Sequence, residues 1–439
     1  MLKKILGLIV VMAMMSSMAA CSGTEAAPVE IPEDKAKAGE LFITQISIGD
    51  YEAARSMLSP EMQKFLTGRK IKSSWKQLTS NFGPYHHHEM GYFKGQGEYE
   101  AAYIKAEFEY RDLGFRLAFD EDNRITSFTI GDYMNPPVLA ENEEKFNVTS
   151  GKYNLDGILT LPNTEEGTLP PAVILIGGSG PTDMDSTVGP NKPFAQLAQG
   201  LSQQGKAVLR YDKRTLVYGA SIATEDQQFT VYDEYVEDAK NAFSQLAQSG
   251  KVDPERIYIA GHSMGGMMIP MIAQEIPEAA GFAMLSANAQ RLEDLIVYQN
   301  QYLIDVNQNY SKTQSKSMMK EVRSVAQKVK EAKEDGTGVF FNGSEYYWYD
   351  LNQYDQVEQA KDIDRPLLVT QGEKDYQVPM ENFTMWQQAL EGKSNVTMKT
   401  YPEMNHLLMT SDGTMAPAEY QTEGEIVAQL VDDLADFIQ

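Results

Sequence analysis

Residues 257–266 read Ile257-Tyr-Ile-Ala-Gly-His-Ser-Met-Gly-Gly266, an apolar strand pattern that runs into a Gly-x-Ser-x-Gly pentapeptide. An apolar, helix-like segment follows from Met267. A strand-to-helix turn this tight needs small residues around the serine, and it projects the serine hydroxyl beyond the edge of the sheet. The stretch therefore predicts a nucleophile elbow with Ser263 as the nucleophile, rather than an ordinary glycine-rich turn.

A serine hydroxyl needs a base that accepts its proton and a third group that orients the base. The chain has five histidines: three lie far upstream at residues 86–88, and His262 lies beside the serine in the elbow. The remaining one, His406, follows a strand-like segment at residues 396–400. In hydrolases with such an elbow the base comes after the nucleophile and the acid in the chain, which makes His406 the candidate base.

The orienting acid is expected between these two residues. Residues 366–379 read as a buried strand, Leu367 to Thr370, followed by a loop that carries Glu373 and Asp375. Spacing alone leaves both carboxylates open as partners of the histidine.

Acyl transfer places negative charge on the carbonyl oxygen, and two backbone N–H groups must meet it. One is expected from Met264, directly after the nucleophile. The other is expected from the glycine-rich loop at residues 177–181, which follows an apolar strand pattern at residues 172–176. By position Ser179 is the second donor, with Gly178 as the alternative. The loop lacks the Gly-Lys-Ser/Thr that a phosphate loop requires.

From about Asn147 to its C-terminus the chain resembles the α/β-hydrolase superfamily, and within it the S33-type aminopeptidase-like or acyltransferase-related esterases. The segments that carry the resemblance are residues 176–185, 208–214, 253–257, 261–266, 371–375 and 405–406. The resemblance implies a triad of Ser263, Asp375 and His406, and so favours Asp375 over Glu373. It implies no cofactor or metal ion, and it does not specify a substrate.

The order of segments predicts the fold of residues 145–439. Two antiparallel strands are expected at residues 145–150 and 153–161, and strand and helix patterns then alternate up to residue 286. This alternation predicts an α/β fold in which a mostly parallel sheet is covered by helices on both faces. Residues 288–364 interrupt the alternation with charge-rich helical stretches, and we expect them to form a helical cap. Their aromatic cluster, Tyr346–Tyr349, either lines an acyl pocket or docks the cap onto the core.

A second, smaller domain is predicted at residues 33–134. Helical patterns extend to about Gly83, and alternating patterns typical of antiparallel strands begin at Glu89. Helices followed by a curved meander resemble an NTF2-like α+β domain. For the run of histidines at residues 86–88, a polar turn is favoured over a metal site. The proline-rich and acidic residues 135–144 are the expected linker.

The N-terminal residues indicate export. Lys3 and Lys4 precede an apolar run at residues 5–15, and Met18-Ala-Ala-Cys21 resembles a bacterial lipoprotein cleavage site. We therefore expect residues 1–20 to be a lipoprotein signal, Cys21 to carry the lipid, and residues 21–32 to tether the protein in the cell envelope, outside the cytoplasm. A plain secretory signal cleaved before Ser22 is the alternative.

The composition of the chain limits the classes of partner that it is expected to bind. The formal net charge is −24, and removal of Lys3 and Lys4 with the signal would make it more negative. Such acidity disfavours binding to nucleic acid or anionic lipid headgroups, so membrane association is expected through the lipid alone. A single cysteine excludes a disulfide framework and a thiolate zinc cluster.

Three functional classes follow from these residues. The first is a serine esterase that cleaves small carboxylic esters through an acyl-enzyme. The second is an aminopeptidase, an acyltransferase or a thioesterase that works through the same triad. The third is a non-catalytic surface-binding lipoprotein, which the complete set of catalytic residues disfavours.

Overall fold

A computed structural model describes residues 30–94, 101–133, 135–136, 138–165, 167–226, 228–306 and 310–439. The predicted signal, Cys21 and most of the predicted tether lie outside the described residues. The chain forms two compact units: one extends to Val138 and includes Val217–Glu225, and the other comprises Leu139–Leu216 and Asp226–Gln439. No helix in the described part of the chain is long and apolar enough to span a membrane.

The N-terminal unit begins with four helices and continues with a four-stranded antiparallel sheet. The helices are α1 (Lys35–Ile48), α2 (Tyr51–Ser56), α3 (Pro60–Phe65) and α4 (Gly68–Phe82). A side chain accepts a backbone N–H at the start of each helix, as N-capping requires, and these caps are Asp34, Asp50, Ser59 and Thr67. The strands are β1 (Tyr85–Lys94), β2 (Ala101–Phe108), β3 (Arg111–Phe119) and β4 (Ile125–Asp132), and they pair in chain order.

The apolar core of this unit joins its helices to its sheet. Phe42 and Ile43 of α1 and Trp75 of α4 pack with Ile104 and Phe115 of the sheet. An amphipathic α4 and half-buried strands account for this packing, because each element has one apolar face to cover.

The expected polar turn at residues 86–88 is wrong, because these histidines lie in β1. His87 and His88 pair with Glu107 and Ala106 of β2. β1 is an edge strand whose first histidines are exposed, so polar side chains do not prevent pairing with the well-buried β2. Among the residues that the structure describes, no three His, Cys, Asp or Glu side chains are grouped so that they could hold a metal ion.

The second unit is built on an eight-stranded sheet. Its strands are β5 (Glu143–Lys145), β8 (Gly157–Thr160), β9 (Ala172–Ile176), β10 (Ala207–Tyr211), β11 (Ile257–His262), β12 (Gly281–Leu285), β15 (Leu367–Gly372) and β16 (Val396–Tyr401). Two small hairpins lie outside it: β6 (Val148–Ser150) with β7 (Tyr153–Leu155), and β13 (Val339–Phe340) with β14 (Gly343–Ser344).

The strand order is β16-β15-β12-β11-β9-β10-β8-β5. β9, β10, β11, β12, β15 and β16 pair in parallel, whereas β8 pairs antiparallel with both of its neighbours, β10 and β5. β9 lies between β10 and β11. After β9 the chain continues to β10 on one side of it and then crosses to β11 on the other side. In open α/β sheets, ligands bind beyond the carboxyl ends of the strands at such a switch point.

The helices of the chain after β8 are α5 (Pro193–Gln203), α6 (Arg214–Glu225), α7 (Asp238–Gln248), α8 (Met264–Met267), α9 (Ile269–Glu275), α10 (Leu292–Val306), α11 (Lys312–Lys330), α12 (Glu345–Gln353), α13 (Gln356–Ala360), α14 (Met380–Ala389) and α15 (Ala428–Phe437). Most of α6, Val217–Glu225, belongs to the first unit. A π-helix, Tyr232–Glu237, precedes α7, and a 3₁₀ helix covers Pro417–Gln421. α5 and α15 share a core with Val173 and Leu175 of β9, while α7 and α9 contact β9 and β11. The predicted α/β-hydrolase fold with a small preceding domain is confirmed.

The chain between β12 and β15 contains α10 to α13 and the β13–β14 hairpin. Tyr347 of α12 donates a hydrogen bond from its hydroxyl to Glu234 Oε2 of the π-helix at 2.7 Å. Its ring also stacks on Phe229, and the neighbouring Trp348 is buried. Of the two roles expected for the aromatic cluster, Tyr347 has the docking role, whereas Trp348 donates to the carbonyl oxygen of Phe340 within the same segment. That the segment acts as a cap stays a prediction.

Candidate active site

Ser263 lies at the junction of β11 and α8, beyond the carboxyl end of a strand that borders the switch point. Its backbone is left-handed, with φ 56° and ψ −122°, a conformation that costs a non-glycine residue energy and is often found at active sites. The turn depends on its glycines. A Cβ on Gly261 would lie 2.2 Å from the carbonyl oxygen of Gly265, and one on Gly265 would lie 2.5 Å from that of Gly177.

Three of the predicted site residues are brought together in one chain of hydrogen bonds. His406 Nε2 is 3.1 Å from Ser263 Oγ, and His406 Nδ1 is 2.8 Å from Asp375 Oδ2. The three residues follow β11, β15 and β16, whose carboxyl ends lie at the same edge of the sheet. The distances fit a neutral imidazole that donates from Nδ1 to the carboxylate and accepts the serine proton at Nε2.

The Asp375 carboxylate is held on both oxygens. Oδ1 accepts the backbone N–H groups of Gln377 and Val378, each at 2.8 Å, and Oδ2 also accepts Gln371 Nε2 at 3.1 Å. These bonds fix the plane of the carboxylate toward His406. Glu373, the alternative acid, is exposed and instead accepts a hydrogen bond from Thr400 Oγ1 at 2.9 Å.

The glycine-rich loop lies against Ser263, the predicted nucleophile. A Cβ on Gly178 would lie 3.2 Å from Ser263 Cβ and 3.7 Å from Ser263 Oγ, so the backbone of this loop comes close to the serine hydroxyl. Met264 is buried as the first residue of α8, and Ser179 is exposed just beyond Gly178. Both predicted oxyanion donors therefore belong to segments that flank Ser263.

His262 is a residue of the site that the sequence analysis did not assign. Its Nε2 donates to the carbonyl oxygen of His406 at 2.7 Å, and the two rings lie 4.7 Å apart between centroids. Burial, and secondarily the nearby His406, lowers the pKa of His262 to about 3. The side chain is therefore neutral at physiological pH and supports the backbone at His406 without adding charge. The sequence signal that could have identified His262 is its position directly before the serine of the elbow.

Comparisons with known proteins place the chain among hydrolases. The sequence model described as "Serine aminopeptidase, S33" matches residues 191–412. Esterase EstD from Thermotoga maritima is 30% identical over 407 residues, which cover 90% of this chain and 93% of that protein. The chain belongs to the S33 serine aminopeptidase family of α/β hydrolases. A model for proteins of unknown function, DUF3887, matches residues 39–128.

Solved structures with similar chains include further hydrolases. Est1E from Butyrivibrio proteoclasticus has a TM-score of 0.43 at 15% identity, with 67% of this chain and 96% of that chain covered. A puromycin-hydrolyzing peptidase of Mycobacterium tuberculosis has a TM-score of 0.45 at 15% identity, with 81% of this chain and 48% of that chain covered.

Because the similarity to an esterase extends over nearly the whole chain, this S33-family hydrolase is a carboxylic ester hydrolase, as the sequence predicted. The alternative of a non-catalytic surface protein is not retained.

The buried His262 predicts a pH-dependent stability. Its folded pKa lies below that of an unfolded histidine, so the unfolded state binds the extra proton and stability is lost as the pH falls from about 6.5 toward 3. Between about pH 7.5 and 5 this group should cost the native state about 2 kcal/mol. The His262→Gln variant should lose less stability over that interval than the wild type, as measured by urea unfolding at both pH values. Equal losses in the two proteins would contradict this role of His262.

Proposed function

We propose that Ser263, His406 and Asp375 form the catalytic triad that hydrolyses small carboxylic esters. The observation that carries this proposal is the continuous hydrogen-bond chain from Ser263 Oγ through His406 to Asp375. Two flanking backbone N–H groups, those of Met264 and Ser179, are the proposed oxyanion hole.

The proposed reaction has two halves. Ser263 Oγ bonds to the ester carbonyl carbon while its proton passes to His406 Nε2, and the carbonyl oxygen becomes an oxyanion. When the tetrahedral intermediate collapses, the C–O bond to the alcohol breaks and Nε2 returns the proton to the departing oxygen. Water then bonds to the acyl carbon while Nε2 accepts its proton, the bond from that carbon to Ser263 Oγ breaks, and Nε2 returns the proton to Oγ as the carboxylic acid leaves. Asp375 stabilises the imidazolium that forms in each half.

The same triad supports a second candidate, peptide cleavage or acyl transfer, because the family takes its name from an aminopeptidase. An aminopeptidase needs a carboxylate that holds the ammonium of its substrate, whereas an esterase does not. A panel of p-nitrophenyl esters of increasing chain length, assayed beside aminoacyl p-nitroanilides, separates the two. Hydrolysis of the esters alone supports the proposed function, and faster hydrolysis of the anilides would replace it.

The Ser263→Ala variant is expected to fold normally but to lose at least about a thousandfold in kcat, because it cannot form an acyl-enzyme. Labelling by a fluorophosphonate should be lost with the activity, and circular dichroism should be unchanged. Wild-type labelling in this variant would contradict the assignment of the nucleophile.

The Asp375→Asn variant should lose far more activity than Glu373→Gln. An amide at residue 375 no longer fixes the His406 tautomer, and such a change costs about 10⁴-fold in kcat in serine hydrolases. Glu373→Gln is the matched control, because it makes the same chemical change two residues away on an exposed side chain. Similar kcat values for the two variants would place the acid elsewhere.

We also propose the domain organisation predicted from the sequence. Residues 33–134 form an NTF2-like α+β domain, 135–144 a linker, and 145–439 the hydrolase with a cap at about 288–364. The four helices and the antiparallel sheet of the N-terminal unit support the first assignment, and the helices between β12 and β15 support the last.

The N-terminal residues support a lipid anchor at Cys21, the sole cysteine of the chain. Cys21→Ser should block lipidation and move the protein from the membrane fraction to the precursor or soluble fraction, with unchanged esterase activity. The wild type should resist salt washing, because two or three acyl chains hold a protein firmly in the membrane. The negatively charged protein is not attracted to anionic lipid, so there is no electrostatic attraction that salt could weaken. Wild-type protein that is soluble and carries no added mass at Cys21 would favour plain secretion.

A further inference from the structure

Lys213 is a buried cation close to the nucleophile that the proposed chemistry does not use. It follows β10, and only 4% of its surface is exposed. Its Nζ lies 2.8 Å from the carbonyl oxygen of Gly178, 2.6 Å from the hydroxyl of Tyr235 and 2.8 Å from Glu234 Oε1. An ammonium group has three protons to donate, so these three bonds use all of them.

Tyr235 completes the same cluster. Its hydroxyl accepts from Lys213 and donates to the carbonyl oxygen of Gly178 at 2.9 Å. Burial raises the pKa of the Tyr235 hydroxyl well above its usual value, so the hydroxyl keeps its proton and remains a donor. The Gly178 carbonyl thus receives two hydrogen bonds, one for each lone pair.

The π-helix presents the anion and the phenol to Lys213 together. Glu234 and Tyr235 are consecutive residues within it, and π-helical turns are frequently found at functional sites. Burial lowers the pKa of Lys213, and the opposing effect of Glu234 favours the charged form. Glu234 is itself held by the hydroxyls of Thr215 and Tyr347.

The position of the Gly178 carbonyl determines the direction of the next N–H group. The peptide bond is planar and almost always trans, so the C=O of Gly178 and the N–H of Ser179 point in opposite directions. Gly178 lies against Ser263, and its carbonyl is held by Lys213 and Tyr235. Holding that oxygen therefore fixes the rotation of the peptide that carries the Ser179 N–H.

We propose that Lys213 and Tyr235 are positioning residues of the oxyanion hole, which hold the Gly178–Ser179 peptide so that the Ser179 N–H meets the oxyanion. This inference rests on the proposed function of Ser263. A cation on the carbonyl also polarises the peptide and strengthens its N–H as a donor. Because a buried ion pair adds little net stability compared with apolar residues of similar size, a fold-stabilising role alone explains the cluster poorly.

The test compares two variants of the full-length protein with a matched control. Tyr235→Phe removes one hydroxyl and leaves the ion pair of Lys213 with Glu234 intact, and Lys213→Met removes the cation. Tyr401→Phe is the control, because it removes another buried hydroxyl, which donates to Asp433 Oδ2 at 2.9 Å rather than to the loop. Active sites are counted by fluorophosphonate labelling carried to completion, so that any unfolded fraction is excluded.

The expected result is a loss in kcat with little change in KM. One oxyanion donor contributes about 10²- to 10³-fold, so we expect about a tenfold loss in Tyr235→Phe and about a hundredfold loss in Lys213→Met. Inhibition by a trifluoromethyl ketone, whose hemiketal oxygen occupies the oxyanion hole, should weaken by the same factors. Tyr401→Phe should retain the wild-type kcat per active site.

Wild-type kcat and inhibitor affinity in Tyr235→Phe would overturn the inference, even if Lys213→Met does not fold. A loss confined to KM would also overturn it, because a displaced donor acts on the transition state. Ser263→Ala, assayed in parallel, distinguishes a failure of the proposed triad from a failure of the positioning role. Turnover close to that of the wild type in Ser263→Ala would refute the proposed triad, whereas a loss of at least about a thousandfold there beside fully active cluster variants would refute only the positioning role.

Discussion

The site depends on the close approach of two backbone segments at the centre of the sheet. The elbow after β11 and the loop after β9 meet where Gly265 lies against the carbonyl oxygen of Gly177, leaving no room for a Cβ. β9 and β11 are neighbours, so their parallel pairing brings these segments to the same edge. The strain at Ser263 is tolerated because this packing determines the turn, and it leaves the serine hydroxyl facing His406.

The two histidines of the site lie side by side, so their charges affect each other. His262 and His406 have adjacent rings, and two imidazolium ions there would repel each other. Burial keeps His262 neutral, and its proton is used to hold the carbonyl oxygen of His406. The one carboxylate bonded to His406, that of Asp375, lies opposite Ser263 across the ring. A positive charge that forms on His406 is thus compensated by one partner and is not opposed by its neighbour.

The sequence predicted the fold class and the residues that the structure brings together, because these have strong local patterns. An apolar strand followed by Gly-x-Ser-x-Gly, and buried strands before Asp375 and His406, each constrain the backbone. The roles of these residues stay predictions. Among the alternating patterns, residues 232–237 form a π-helix before α7, and β1 begins four residues before the expected change of period. Both differences reflect tertiary packing, which hydrophobic periodicity does not record.

The glycines of the loop after β9 allow a close approach to Ser263, but they also leave the backbone of the loop free to rotate. Gly178 permits the backbone to approach Ser263, and Gly180 has a left-handed φ of 80°, but glycine also leaves a peptide free to rotate. A donor that must meet charge in the transition state has to be oriented beforehand, because reorientation during the reaction would cost part of the stabilisation. In the proposed positioning role, the ammonium of Lys213 supplies that orientation from outside the loop, through its bond to the carbonyl oxygen of Gly178.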